Sequence, residues 1–393
     1  MKANVVLPIA ICVTIAAISA CAGGDRVAGN SPSASASLAP CPPGNALLTV
    51  SPIALPDIGG WVPLGAMNPP GHTFPTDHQY LYLATFTTPA AQRPVDLVAP
   101  GNVTITRARR TTYSTDGHTD YSLSFSACKE VAGEFGHVAT IAATLLPKLG
   151  PFDQGCDSYS PNPGLTVSAC YTANIAVAVS AGDVLGTVGG APNPASLDFS
   201  FWDRRVTALG YANPSRWIAN TEGFDNFHVV PASDYFAEPA RSGIAAKLGS
   251  FDGRVRRTVA PLGGTIALDV AGTVQGAWLN ATQPTHPETP HLAIVPDNVD
   301  PTQIDVSMGM SQPGFPSAQY RFTPAPAGLV NRAPSDITPD GQLYCYELQY
   351  GGVLLLRLMD ATTLRVEGRP AAASCASQQP WVFNASASFD YKR

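Results

Sequence analysis

The chain has 393 residues, which is too long for one ordinary domain and predicts two domains after any targeting segment. Only 13% of the residues are charged, whereas 35 Gly and 37 Pro are present, a composition typical of short strands and loops rather than long helices. The net charge of −6 and the absence of a long basic run argue against nucleic acid as a partner.

The N-terminus has the features of an export signal. Lys2 precedes an apolar run over residues 5–20 that is too short to span a membrane as a stable helix. The run ends in Ile-Ser-Ala-Cys, which is similar to a bacterial lipobox and predicts Cys21 as the lipidated first residue of the mature protein; an ordinary secretion signal is the alternative. Residues 22–40 are rich in Ser, Ala and Gly and predict a flexible tether. We therefore expect signal peptide 1–21 and a lipoprotein anchored to a membrane on its periplasmic or extracellular face.

Short segments rich in β-branched or aromatic residues recur from residue 46 onward and predict strands. Residues 238–251 are the best helix candidate, and 137–146 fits either a strand or a short helix. The sequence predicts a mainly β fold with two β-rich domains, 41–205 and 251–393, joined by a connector at 206–250 that contains the helix. The second domain is predicted to be a β-sandwich or barrel. The predicted strand segments are 46–55, 78–86, 95–108, 120–128, 137–146, 174–190, 196–203, 263–280, 291–298, 303–310, 318–324 and 343–368.

The cysteine content agrees with export. Apart from Cys12 and Cys21 the chain has an even number of cysteines, which predicts disulfides in an oxidising compartment. Cys345 and Cys375 lie together near the C-terminus and are predicted to pair. The pairing of the other four is left open. A zinc–thiolate site is disfavoured because no Cys-x-x-Cys pair is present. The four cysteines without an assigned partner are Cys41, Cys128, Cys156 and Cys170.

The segment Gly-His-Thr-Phe-Pro-Thr-Asp-His at 71–78 concentrates two of the 7 histidines of the chain. Zinc requires about three His, Asp or Cys ligands, and a turn carrying His72 and Asp77 supplies two of them. His78 follows Asp77 directly, so on a strand it points to the opposite face and is disfavoured as a third ligand. The alternative is a turn held together by hydrogen bonds.

The order of motifs that follows resembles the lysostaphin-type zinc metalloendopeptidases, β-rich enzymes that cut peptide cross-bridges in bacterial cell walls. The Val-Ala-Pro-Gly-Asn-Val sequence at 98–103 matches a hairpin motif of that family, and residues 179–186 match its Val-x-x-Gly-x-x-Ile-Gly turn. The resemblance covers roughly residues 63–205 and implies a peptidase-like first domain. It implies that His137 is an active-site histidine that orients water, and that the strand at 196–200 forms the end of the site.

Two departures from the family pattern affect the chemistry. The spacing from His72 to Asp77 is one residue longer than His-x-x-x-Asp. The family's final His-x-His pair is replaced by Ser196 and Asp198, so that Ser196 stands where the first histidine helps catalysis. Asp198 can replace the second histidine as an oxygen ligand, giving a candidate metal site of His72, Asp77 and Asp198, with weaker selectivity for zinc. Loss of the general base costs about 10²–10⁴-fold in rate.

These observations favour a peptidase-like domain that has lost its activity. We expect either no cofactor or zinc, and a groove lined by His78 and Ser196 that binds peptidoglycan or an envelope protein. An active metal-dependent peptidoglycan endopeptidase with an altered ligand set is one alternative, and a structural envelope lipoprotein is the other. The acidic stretch 286–300, which contains Glu288 and His291, is predicted to be a solvated loop leading into a strand rather than a calcium site.

Overall fold

The computed structural model describes residues 38–162, 164–214, 225–283 and 287–393. The predicted signal peptide, Cys21 and the tether up to residue 37 lie outside these described residues. Within them, no helix is both long enough and apolar enough to cross a membrane.

The described chain is mainly β and forms two antiparallel sheets, which confirms the predicted fold class. The first sheet has eleven strands in the order β1-β2-β11-β6-β5-β4-β8-β7, with β10 paired to β3 and β6 and with β9 paired to β4. Its strands are β1 (Ile58–Val62), β2 (His78–Leu83), β3 (Val95–Val98), β4 (Val103–Tyr113), β5 (Thr119–Ser126), β6 (Val131–Ile141), β7 (Phe152–Asn162), β8 (Leu165–Thr172), β9 (Val177–Val179), β10 (Val184–Val188) and β11 (Ser196–Asp203).

The second sheet has eight strands in the order β15-β14-β13-β12-β19-β18-β17-β16. It curls so that its end strands approach each other: the rings of Phe322 and Tyr346 are 4.3 Å apart, and the backbone amide of Gln349 donates to the carbonyl of Arg321 at 2.9 Å. Its strands are β12 (Gly276–Asn280), β13 (Leu292–Pro296), β14 (Ile304–Met308), β15 (Ala318–Phe322), β16 (Tyr344–Glu347), β17 (Val353–Asp360), β18 (Thr363–Arg369) and β19 (Ser388–Lys392).

Helical structure is short. The two α-helices among the described residues are α1 (Leu146–Leu149) and α2 (Ala240–Ala245), and α2 lies within the segment predicted to be helical. The remaining helical pieces are 3-10 turns at Leu55–Asp57, Pro89–Ala91, Ala232–Tyr235, Pro334–Asp336 and Ala376–Gln378.

Two predicted strand segments were wrong, and several strands of the structure were not predicted. Residues 46–55 form no strand, because this apolar segment packs on the first core as an irregular chain with a single bridge from Leu48 to Phe236. The predicted strand at 263–280 begins only at Gly276. The hairpin of β7 and β8 was missed because its face is largely polar and exposed, and β19 was missed as well.

The first core is aromatic and lies against the centre of the first sheet. The ring centroid of Phe199 on β11 lies 4.7 Å from that of Phe135 on β6 and 6.2 Å from that of Trp61 on β1. Full burial of each such ring contributes about 1.5–3 kcal/mol. The connector belongs to this core too, because Tyr235 and Ile244 are buried in the same cluster.

Three disulfides are present, including the predicted Cys345–Cys375 pair. The open pairing resolves as Cys41–Cys128 and Cys156–Cys170. The first ties the segment preceding the first sheet to the end of β5, and the second joins the two strands of the β7–β8 hairpin.

The glycine turn that the resemblance singled out lies between β9 and β10. Gly182 has φ +87°, a backbone conformation that favours glycine. Gly186 runs so close to β6 that an added Cβ would meet the carbonyl oxygen of Thr140 at 1.9 Å. Gly182 is therefore favoured by the turn conformation, and Gly186 by the close pairing of β10 with β6.

Candidate functional site: a buried histidine–aspartate cluster

The polar face of β11 faces a layer of histidine and aspartate side chains. Leu197 and Phe199 point into the first core, so the alternation of a strand directs Asp198 to the other face. In the antiparallel pair, Asp198 lies opposite Tyr80 of β2 on one side and opposite Gly136 of β6 on the other. An added Cβ at Gly136 would lie 3.2 Å from the Cβ of Asp198, so this glycine provides room for the carboxylate.

A bulge in β6 brings His137 onto the same face. Tyr121 pairs with Val138 and Leu123 pairs with Phe135, so that two residues of β6 oppose one of β5. Val138 and Phe135 both enter the core, which leaves His137 on the polar face with φ +58°. This left-handed conformation of a non-glycine residue costs about 1–3 kcal/mol and persists only where the surroundings enforce it.

Asp198 lies between two imidazoles. Its Oδ2 atom is 3.7 Å from Nε2 of His78 and 3.5 Å from Nε2 of His137. All three side chains are at most 5% exposed. At these distances the carboxylate acts as a shared counter-ion for the two rings in a medium of low dielectric constant.

The Nδ1 atoms of His78 and His137 are each bound by a further carboxylate, a different one for each ring. Nδ1 of His78 donates to Oδ1 of Asp77 at 3.0 Å, and Nδ1 of His137 donates to Oδ2 of Asp120 at 2.7 Å. Asp120 also accepts a hydrogen bond from the hydroxyl of Tyr113 at 2.9 Å. The result is a continuous chain of charged groups across the polar face of the sheet.

His72 covers this chain from the turn that precedes β2. Its ring meets that of His78 edge to face, with 5.4 Å between centroids. The Nε2 atom of His72 is buried and has no hydrogen-bond partner among the described residues. The turn is closed by reciprocal backbone hydrogen bonds between Asn68 and His72 at 2.8 and 3.0 Å.

The three imidazoles differ in pKa. Burial lowers the pKa of His72 to about 4, helped by repulsion from His78, so this ring is neutral near pH 7. Burial also disfavours the charged form of His137, but Asp198 and Asp120 outweigh it and raise the pKa to about 9. The same balance, with Asp198 and Asp77, raises the pKa of His78.

The second sheet holds the turn in place. The backbone amide of Phe74 donates to Oε2 of Glu288 at 2.9 Å, and the ring of Phe74 stacks on His291 at 5.4 Å with an interplanar angle of 3°. Phe74 also packs with Ala293 and Val295 of β13. His291 is fully buried and lies directly before β13, within the segment predicted to be a strand. The cluster therefore lies beneath a turn that contacts both sheets.

The predicted set of His72, Asp77 and Asp198 needs correction. Asp77 lies just before β2 and bonds Nδ1 of His78, so it orients a ring. His78, which the sequence argument placed on the opposite face, has its Nε2 directed at Asp198 because it is the first residue of the strand. Ser196 and His78, the predicted groove residues, are 8% and 2% exposed, so they line a buried layer.

The donor chemistry of the cluster suits zinc, but its spacing does not. Imidazoles held by carboxylates at Nδ1 are the usual environment of zinc-binding histidines. A zinc site nevertheless needs three ligand atoms about 2 Å from one point. Among the described residues, the only three His, Cys, Asp or Glu ligand atoms within 4.8 Å of one another belong to Cys41, Cys128 and Glu130, and these two cysteines form a disulfide. The cluster as arranged therefore does not fit a tetrahedral zinc ion.

Asp120 was not predicted as a site residue, although its carboxylate holds His137, which was predicted. A signal existed, because Asp120 interrupts a strand whose neighbours at 121, 123 and 125 are apolar or aromatic. Only the bulge at His137, which sequence does not reveal, brings the two together.

No family model matches the chain, and neither a curated protein nor a solved structure matches it.

Proposed function

We propose that this chain is an exported, lipid-anchored envelope protein whose first domain resembles a peptidase, does not cut, and binds the cell wall or an envelope partner. The observation that carries the proposal is the enclosure of the cluster. His72, His78, His137 and Asp198 are all at most 7% exposed, and the charges of the rings are balanced by carboxylates within the fold.

The cluster lacks a general base for neutral pH. Ser196 occupies the position where the resemblance requires an imidazole, and a hydroxyl does not accept a proton there. His137 has a pKa of about 9 and already carries its proton at pH 7. His72 is neutral at pH 7 because its pKa is lowered to about 4, but its ring is buried under the turn. Water activation by these side chains is therefore unfavourable.

The turn also restricts access for a peptide. A scissile carbonyl would have to reach Asp198, and the turn that lies over it is fixed by Glu288 and His291 of the second domain. Opening this turn would expose Phe74, which is 4% exposed. We infer that recognition uses outer surfaces of the protein rather than the cluster itself.

Export is supported by the sequence of the N-terminus and by the cysteines. Three disulfides in one chain are typical of proteins that fold in an oxidising compartment. The Ile-Ser-Ala-Cys sequence ending at Cys21 supplies the lipid anchor.

A sedimentation assay tests the binding function. The full chain is incubated with purified peptidoglycan sacculi, the sacculi are pelleted, and soluble wall fragments are measured in the supernatant. We expect the protein in the pellet, no released fragments, and the same result with a chelator present. Soluble wall fragments added in excess are the control and should release the protein. Protein that stays in the supernatant would leave a structural lipoprotein without wall affinity as the better account.

A metal-dependent endopeptidase is the second candidate, and two observations favour it. Nε2 of His72 is buried without a hydrogen-bond partner among the described residues, and His78 and His137 are oriented through Nδ1 as metal ligands usually are. The zinc content of the purified chain separates this candidate from the first.

A further inference from the structure

The second domain contains a groove that is remote in sequence from the histidine cluster. The groove is shallow and open to solvent, with a volume of about 610 Å³. Its lining comes from three separate segments around β16 and β17: the loop at 329–330, the turn at 341–343 and the chain at 379–381, with Arg357 from β17.

Arg357 is at the groove because of its place on β17. Val353 and Leu355, on the same face of the strand, pack under the Cys345–Cys375 disulfide and the chain that follows it. Arg357 continues this face beyond the covered part. Its guanidinium lies 5.9 Å from the centroid of the Phe383 ring, which holds the side chain against the domain.

The guanidinium of Arg357 makes no direct salt bridge within the described residues, although Asp340 is near enough to interact with its charge. Its Nε is buried without a hydrogen-bond partner, and no salt bridge joins the guanidinium to a carboxylate of the described chain. Its cross-strand neighbour Arg365 differs, because Asp390 accepts from Arg365 at 2.7 and 2.8 Å. Two like charges lie opposite each other, and only Arg365 of the two has a direct salt bridge among the described residues.

Trp381 forms an apolar wall of the same groove. Its indole Nε1 donates to the carbonyl of Cys375 at 2.9 Å, so the ring is fixed and its polar atom is satisfied. Gln342 and Gln379 are exposed at the rim and carry amide groups. A fixed indole, a guanidinium without a direct salt bridge and two amides match a ring with an apolar face, several hydroxyls and one carboxylate.

We propose that this groove binds an acidic saccharide, with the sugar carboxylate on the guanidinium of Arg357 and a sugar face on Trp381. The planar fork of arginine binds a carboxylate through two parallel hydrogen bonds, which an ammonium group does not reproduce. The inference is independent of the wall-binding proposal, because it concerns a soluble sugar and a different domain.

Calorimetric titration of the full chain with glucuronate tests the inference, with glucose as the neutral probe of similar shape. We expect glucuronate to bind with millimolar affinity and glucose at least about 10-fold more weakly, because a charge-assisted pair is lost. Arg357→Met, which keeps the side-chain length over Phe383, should weaken glucuronate binding by about 10- to 100-fold. Trp381→Leu should weaken both sugars.

Arg256→Gln, at an exposed position outside the groove, is the matched control and should bind as the unaltered chain does. Thermal unfolding of Arg357→Met shows whether the variant is folded. Arg357→Lys keeps the charge without the fork, and its affinity for glucuronate should lie between those of the unaltered chain and Arg357→Met. Equal binding of glucuronate by the unaltered chain and Arg357→Met would overturn the proposal. So would binding of acetyl-glycyl-phenylalanine, a carboxylate on a peptide, without binding of glucuronate.

Discussion

Asp198→Asn is expected to lower the free energy of unfolding by about 3–5 kcal/mol at pH 7, because the two protonated rings lose the buried counter-ion that they share. The side chain of Asp198 is 4% exposed and faces Nε2 of both His78 and His137. The amide keeps the shape of the carboxylate, so the loss reports on charge rather than on a cavity. Urea denaturation followed by circular dichroism measures it.

Asp96→Asn is the control for this substitution. Asp96 lies on β3 of the same sheet, but its side chain is exposed. Surface substitutions of this kind change stability by about 0.5 kcal/mol or less. If Asp198→Asn were as mild as Asp96→Asn, the carboxylate would not be the counter-ion of the two rings, and the description of the cluster would be wrong.

The stability of the protein is expected to fall as the pH rises from about 6.5 to about 9, with His137 contributing about 3 kcal/mol of the fall. The pKa of His137 is raised to about 9 in the folded chain against an ordinary value of 6.5. The folded state therefore binds more protons in this window. The stabilisation is complete below pH 6.5 and is lost as the pH passes through 9. His78, whose pKa is also raised, acts in the same direction.

Denaturation of the unaltered chain and of His137→Gln across this range isolates the contribution. The difference in unfolding free energy should be largest near pH 6 and should shrink by about 3 kcal/mol at pH 9. His72→Gln is the control with the opposite sign, because its pKa is lowered to about 4. The difference in unfolding free energy between His72→Gln and the unaltered chain should change between pH 6.5 and pH 4 and stay constant above pH 6.5. A His137→Gln difference that does not vary with pH would contradict the pairing with Asp120 and Asp198.

Periodicity in the sequence predicted much of the fold, because strands that bury one face leave a clear alternating pattern. The segment at 196–203 coincides with β11, and the resulting alternation placed Ser196 and Asp198 on one face. The chain at 46–55 has the same residue types but no strand partner, and the exposed hairpin of β7 and β8 has strand geometry without an apolar face. Local pattern does not separate these cases, since pairing depends on distant residues.

The site was predictable in its members but not in its arrangement. Sequence singled out His72, His78, His137 and Asp198. It chose Asp77 on the turn as a ligand and set His78 aside, because strand alternation was applied to His78, which is only the first residue of β2. The bulge that turns His137 toward Asp198 depends on the packing of Val138 and Phe135. The contact between Phe74 and Glu288 joins residues that are 214 positions apart. Such long-range contacts fix a site only after both domains have formed.

The zinc content of the purified full chain, measured after loading with zinc and removal of free metal, tests the central claim most directly. The claim is that the buried charges of the cluster neutralise one another within the fold. We expect far less than one zinc ion per chain, with no change in zinc content in His78→Ala. One tightly held zinc ion per chain that disappears in His78→Ala, together with chelator-sensitive cleavage of wall peptides, would contradict it.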